Sequence, residues 1–322
     1  MKKILFITVV VQLLTISFLT LNIFRKSKNI LGSQSINPID KRDISLNSDS
    51  NLSYFYEPAP NSTQRINPWL PIALDYKINL DGLNEEKEYT VEKPKDTFRI
   101  ITLGDSFTFG LYVPTKDNYS KKLESLLNKN CVKKRYEVIN LGVYGYDILY
   151  SLERFRIRGI KYDPDLIIWQ LENHNFIQNN ELMLRKEKYY FQQMKKSGEF
   201  ERRINNGENY PSWNEASNDI LATFGQDYLM QSNKKLIPKI NDYFKKTLVF
   251  TTFPDTKKEF QSFLQNFVRS RKNTYFFNQI TDLNNNQDLF LPGDGHPSKK
   301  GHEQIARNVF NYLTKNKLIP CN

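Results

Sequence analysis

Ser106 stands in the segment Gly104-Asp105-Ser106-Phe107-Thr108-Phe109-Gly110, directly after the apolar run 98–103. A serine leaving a buried strand is aimed out of the C-terminal edge of a sheet, and glycines beside it let the chain turn sharply. Such a hydroxyl becomes a nucleophile when an imidazole takes its proton. The chain holds three histidines, His174, His296 and His302. His296 sits in Asp294-Gly295-His296-Pro297, with a carboxylate two positions earlier that can orient the ring. Ser106, Asp294 and His296 therefore make a candidate acyl-transfer triad. The plainer alternative makes Ser106 a turn residue and His296 a residue before a helix. The order of the residues and their placement after strands favour the triad. His302 follows Gly301 at the start of a helical pattern and reads as structural.

The elements that must carry these residues alternate in period. Strands are predicted over 98–103, 137–141, 165–171, 247–252 and 274–278. Helices are predicted over 118–128, 148–159, 257–271 and 302–318. The run Leu166-Ile167-Ile168-Trp169 is apolar throughout, as in a strand covered on both faces. Alternation of strand and helix implies an α/β fold: a three-layer α/β/α sandwich around a central, mostly parallel five-stranded sheet. Residues 177–245 interrupt the rhythm. They are polar and read as a helical insertion above the strand edge, either a lid or substrate wall or a structural excursion.

Ahead of this domain the chain changes character three times. Ile4 to Phe24 is a run of 21 uncharged residues after Lys2 and Lys3. As a helix it measures about 31 Å, enough to span a bilayer core. Residues 1–28 read as an N-terminal transmembrane anchor, with a cleaved signal as the alternative. Residues 29–53 are rich in Asn, Ser, Asp and Pro and read as a tether. Residues 54–95 carry Tyr54, Phe55, Tyr56, Trp69 and Leu70 and are expected to pack as extended segments on the main domain, 96–322. A large domain after such an anchor is expected outside the cytoplasm.

Composition narrows the function class. The net charge is +11, and residues 1–28 contribute five basic residues and no acid. The remaining mild excess suits anionic surfaces, but no Arg-rich stripe or nucleic-acid motif accompanies it, so no nucleic-acid partner is expected. The two cysteines, Cys131 and Cys321, are too few and too far apart for a zinc site. They pair in an oxidising compartment or stay as thiols. No metal or organic cofactor is implied.

The Gly-Asp-Ser block, Asn140-Leu141-Gly142-Val143-Tyr144-Gly145-Tyr146-Asp147 and Gly293-Asp294-Gly295-His296 together resemble the SGNH/GDSL hydrolase superfamily, in particular a bacterial membrane-tethered branch. The resemblance covers about residues 54–318 and implies a flavodoxin-like order of strands. It also implies Ser106 as nucleophile, Asp294 and His296 as acid and base, and Gly145 with the Ser106 backbone as oxyanion-hole donors. The acid stands two residues before His296, where the usual spacing is three. The third block departs further: in Glu172-Asn173-His174-Asn175-Phe176, His174 falls where an oxyanion-binding Asn is usual, with Asn173 one residue away. Losing one oxyanion donor costs on the order of 100- to 1000-fold in rate. The implied activity is a serine esterase acting on O-acyl groups, acetyl among them, of an ester-bearing small molecule or envelope glycan. An O-acyltransferase on the same triad and a catalytically impaired polysaccharide-binding protein are the alternatives.

Overall fold

The protein is described from a computed structural model covering residues 44–66, 74–208, 210–279, 287–292 and 295–321. Residues 4–24, the expected anchor, lie outside these, as do Trp69, Leu70 and Asp294. Among the described residues no helix is long and apolar enough to cross a membrane.

Two antiparallel hairpins lead in. The first pairs β1 (Ile44–Leu46) with β2 (Tyr56–Pro58), and the second pairs β3 (Ser62–Ile66) with β4 (Leu74–Ile78). Both hairpins pack their aromatic residues on the following domain. Phe55 and Tyr56 are buried against Val143, Tyr146 and Tyr150. Tyr76 is buried against Phe109 and Tyr144.

The central sheet consists of β5 (Thr97–Leu103), β6 (Arg135–Asn140), β7 (Leu166–Gln170), β8 (Thr247–Thr252) and β9 (Thr274–Asn278). They lie side by side in the order β6-β5-β7-β8-β9, and every pairing is parallel. Apolar residues fill both faces because neighbouring side chains on a strand point to opposite sides. Ile101, Leu103, Ile167, Trp169, Leu248 and Phe250 enter one core. Ile100, Val138, Leu166, Ile168 and Val249 enter the other.

Helices cover both faces. After β5 comes one turn, α1 (Ser106–Phe109), then α2 (Tyr119–Asn130), capped by Asn118 Oδ1 accepting from Lys121 N. α3 (Ile148–Arg154) follows β6 and passes into a wider π-type turn over Phe155–Gly159. The segment 177–245 contains α4 (Asn180–Ser197), α5 (Glu199–Asn205), α6 (Pro211–Phe224), α7 (Gln226–Leu236) and the single turn α8 (Ile240–Tyr243). Met183, Ala216, Ile220 and Leu229 give it a small core of its own, while Met230, Ile237 and Ile240 join the main one. α9 (Lys258–Arg269) and α10 (Lys299–Lys315) complete the layers. α10 begins three residues ahead of the expected start because Ser298 is its cap, with Oγ accepting from Gly301 N. Tyr119, Leu123 and Leu127 of α2 meet Ile305, Val309 and Leu313 of α10 under one face. A disulfide between Cys131 and Cys321 ties the two helices' far ends.

Candidate active site

The turn from β5 into α1 is built for a glycine. Gly104 has φ +153°, and a Cβ there would lie 2.4 Å from Thr108 Oγ1 and 2.9 Å from the Gln170 carbonyl oxygen. The next residue, Asp105, caps α1: its Oδ1 accepts from Phe107 N at 2.9 Å. Ser106 then opens the helix at the C-terminal end of β5, next to the middle of the sheet.

His296 arrives from the other end of the chain, on the turn between β9 and α10. That turn is pinned by Leu291 N donating to the His296 carbonyl at 2.8 Å and by Ser298 N donating to Leu289 O at 2.8 Å. The result is a hydrogen bond of 2.8 Å between His296 Nε2 and Ser106 Oγ, joining residues 190 apart in sequence. Two rings fix the imidazole. Phe107 lies against it at 4.9 Å between centroids, and Tyr112 meets it edge-on at 5.2 Å. Tyr112 holds a left-handed backbone, φ +69°, and its N–H donates to the Tyr76 hydroxyl at 2.6 Å.

The loop after β6 presents Gly145. Its φ is +76°, and a Cβ there would lie 2.8 Å from the Tyr56 hydroxyl. Three successive carbonyls of this loop are held by side chains. Tyr56 OH donates to Tyr144 O at 2.9 Å. Gln178 Nε2 and Asn180 Nδ2 donate to Gly145 O at 3.1 and 2.6 Å. Asn175 Nδ2 donates to Tyr146 O at 3.1 Å.

The segment after β7 behaves differently from an oxyanion-binding block. His174 Nε2 lies 2.8 Å from Asp105 Oδ2, and Asn175 Nδ2 donates to the same oxygen at 2.9 Å. Burial alone would raise the Asp105 pKa, but His174 and these donors hold it below the usual carboxylate range. Burial likewise works against a charged His174, and Asp105 outweighs it and raises the imidazole's pKa. Both polar atoms of the Asn173 side chain bond to the loop after β8: Nδ2 donates to Asp255 O at 3.4 Å and Oδ1 accepts from Lys257 N at 2.8 Å. Neither expected side-chain donor therefore has its bonded nitrogen turned to an incoming oxygen. Glu172, buried beside them, has its pKa pushed well up, by burial first and then by the Asp105 charge.

The third histidine is structural, as its sequence context suggests. His302 is fully buried, and its Nδ1 accepts from Tyr119 N at 3.2 Å, at the first turn of α2. Among the described residues no three His, Cys, Asp or Glu side chains converge as a metal site requires. Asp294 lies outside the described residues, so the structure brings together two of the three expected triad members.

Sequence reasoning did not single out Phe107 and Tyr112 as partners of His296, nor Tyr56, Gln178 and Asn180 as supports of the Gly145 loop. The aromatic cluster 54–56 was a signal of packing, not of a hydroxyl's destination. Tyr56 meets Tyr144 across 88 residues, and spacing carries no record of that.

No protein-family model matches the chain, and no curated protein matches it. Solved structures do. A two-domain esterase active on acetylated mannans, co-crystallised with mannopentaose, aligns over 70% of this chain at 13% identity with a TM-score of 0.45. The chain spans about half of that protein, 51% of its length. A protein of the G-D-S-L family from Desulfitobacterium hafniense DCB-2 aligns over 67% of this chain and 99% of its own, at 16% identity and a TM-score of 0.42. AlinE4, an SGNH-hydrolase family esterase, aligns over 70% and 98%, at 17% identity and a TM-score of 0.37. The chain is thus similar to structures of the SGNH or G-D-S-L type, the same type that the blocks around Ser106, Gly145 and His296 resemble.

Proposed function

We propose that the protein is a serine esterase that removes O-acyl groups, acetyl in the first instance, from an envelope carbohydrate or a related ester. The observation that carries the proposal is the 2.8 Å hydrogen bond between Ser106 Oγ and His296 Nε2 at the C-terminal edge of the parallel sheet. In this mechanism His296 takes the Ser106 proton as Oγ attacks the ester carbonyl, then passes it to the leaving alkoxide. Asp294, two residues upstream, orients the ring and stabilises its charged form. The N–H groups of Ser106 and Gly145 receive the oxyanion. Water, deprotonated by His296, releases the acyl group and frees Ser106.

The third block favours a second, weaker reading. With Asn173 and His174 Nε2 engaged elsewhere, the oxyanion is left to two backbone donors. That suits either a slow esterase or a protein that retains the glycan and does not turn it over. The N-terminal run and the Cys131–Cys321 bridge support an anchored domain in an oxidising compartment.

Fluorophosphonate labelling tests the proposal without knowledge of the substrate. Wild type is labelled and releases acetate from acetylated xylan or p-nitrophenyl acetate, whereas Ser106→Ala is not labelled and releases none. His296→Ala labels far more slowly. A wild-type protein that resists the probe while still binding glycan rejects the esterase in favour of the binding reading. Acyl groups found on an added glycan acceptor identify transfer in place of hydrolysis.

A further inference from the structure

We infer that Tyr56, on the lead-in hairpin and outside the sandwich itself, is a positioning residue for the oxyanion donor at Gly145. This rests on the esterase reading and deepens it. A trans peptide is planar, and its C=O and N–H point in opposite directions. The described residues contain no cis peptide. The Tyr56 hydroxyl, donating to the Tyr144 carbonyl at 2.9 Å, therefore fixes which way the Gly145 N–H points, namely away from Tyr56. Gly145 is exposed, whereas Tyr144 and Tyr146 on either side of it are buried. Among the described residues its N–H donates to no backbone acceptor.

The neighbouring peptide plane is held in the same manner. Gln178 Nε2 and Asn180 Nδ2 both donate to the Gly145 carbonyl. The glycine is thus gripped through the oxygen on each side of it, and its N–H is the group left to face a substrate. The left-handed φ serves the same end. It brings the α-carbon so close to the Tyr56 hydroxyl that a Cβ would lie 2.8 Å from it. The tyrosine is itself immobile: its ring meets Tyr146 at 5.3 Å and 76°, and its carbonyl accepts from the Tyr146 hydroxyl. A peptide aimed before substrate arrives costs no reorganisation in the transition state, which is where such a donor is worth most. Without the hydroxyl, the plane is free to rock.

Tyr56→Phe removes the hydroxyl and keeps the ring. Tyr150→Phe is the matched control: it removes a neighbouring hydroxyl of the same cluster, one that bonds to Glu181 and not to the 144–146 loop. With p-nitrophenyl acetate, Tyr56→Phe is expected to lower kcat about 10-fold, a fraction of what losing a whole donor costs, at nearly unchanged KM. Tyr150→Phe leaves kcat near wild type. Fluorophosphonate labelling slows in Tyr56→Phe by a similar factor. Gln178→Leu, at a partly exposed position, removes one of the two donors that hold the next peptide, Asn180 remaining, and gives a smaller fall in kcat, so the inference is testable even where Tyr56→Phe folds poorly. Equal kcat in Tyr56→Phe and Tyr150→Phe, or a rise in KM alone, overturns the inference and leaves the esterase standing. A wild type inert to both ester and probe removes the esterase reading and this inference with it.

Discussion

The ring of Tyr112 meets the imidazole of His296 edge-on, with centroids 5.2 Å apart and planes at 90°. An edge-to-face pair contributes about 0.5–1.5 kcal/mol beyond the area it buries. If that energy keeps the imidazole aimed at Ser106, Tyr112→Ala lowers kcat by roughly 2- to 10-fold with KM little changed. Steady-state kinetics on a soluble ester measures it, and an unaltered kcat refutes the positioning role.

His302 makes stability depend on pH. Burial first, and then the nearby His296, push its pKa down to about 3 from 6.5. The folded chain thus stays unprotonated there while the unfolded chain takes up a proton below pH 6.5. The stability tied to His302 is complete above pH 6.5 and drains away as pH falls toward 3, by up to about 1.4 kcal/mol per pH unit. His302→Gln, whose carbonyl can still accept from Tyr119 N–H, lacks this loss. Urea unfolding at a series of pH values is expected to show wild type gaining on the variant as pH rises from 3 to 6.5. A constant gap between the two curves contradicts the assignment.

Asp147 pulls the other way. It caps α3, accepting from Tyr150 N at 2.8 Å and Asn180 N at 2.6 Å, yet burial drives its pKa up from 3.8 to about 6. Between those values the folded chain holds a proton that the unfolded chain has released, so its contribution falls as pH rises through that window. Asp147→Asn is expected to flatten this component. A variant whose stability relative to wild type stays constant from pH 4 to 6 shows the carboxyl to be ionised throughout.

Glu57 secures the strand that carries Tyr56. Its carboxylate, 2% exposed, accepts from Arg154, which is fully buried, and from Arg158 Nη2 at 2.9 Å. Arg154 Nη2 also reaches the Gly82 carbonyl at 2.6 Å. Glu57→Ala strands a buried guanidinium and is expected to cost about 3–5 kcal/mol. The double change Glu57→Met with Arg154→Met costs much less, because no fully buried charge is left behind; Arg158, which also loses its partner, is partly exposed to solvent. A double variant weaker than the single one speaks against this account of the pair.

The bridge between Cys131 and Cys321 closes a separation of 190 residues. A crosslink of that span restricts the unfolded chain strongly, and losing it costs roughly 2–5 kcal/mol. Cys321→Ser, and wild type in dithiothreitol, are expected to unfold at the same lowered urea midpoint. A wild type indifferent to reduction, with both thiols shown to be free, rules the stabilisation out.

The sheet was legible because its strands are written plainly. The continuous apolar run at 166–169 suits a strand covered on both faces, and the ends of β8 and β9 coincide with those expected. The meeting of Ser106 and His296 was legible because each stands at a recognisable step, one at a strand-end turn and the other in Asp-x-His. The third block was not, because the letters Asn173 and His174 do not say which atoms their side chains bond. That depended on how close β7 comes to Asp105 and to the 255–257 loop. The start of α10 was misjudged since Ser298-Lys299-Lys300 reads as a polar loop until Ser298 is seen to cap it. Tyr56 escaped for the most general reason: a hydroxyl's partner depends on tertiary approach, and a cluster of aromatic residues advertises only that something will be covered.

Since the serine precedes its histidine by 190 residues, a ribosome delivers an unassisted alcohol long before it delivers the base. On the proposed esterase reading every shorter nascent chain is chemically quiet toward esters, and the Cys131–Cys321 crosslink cannot form before residue 321 is made. On that reading the chain acquires reactivity only when its last elements are in place.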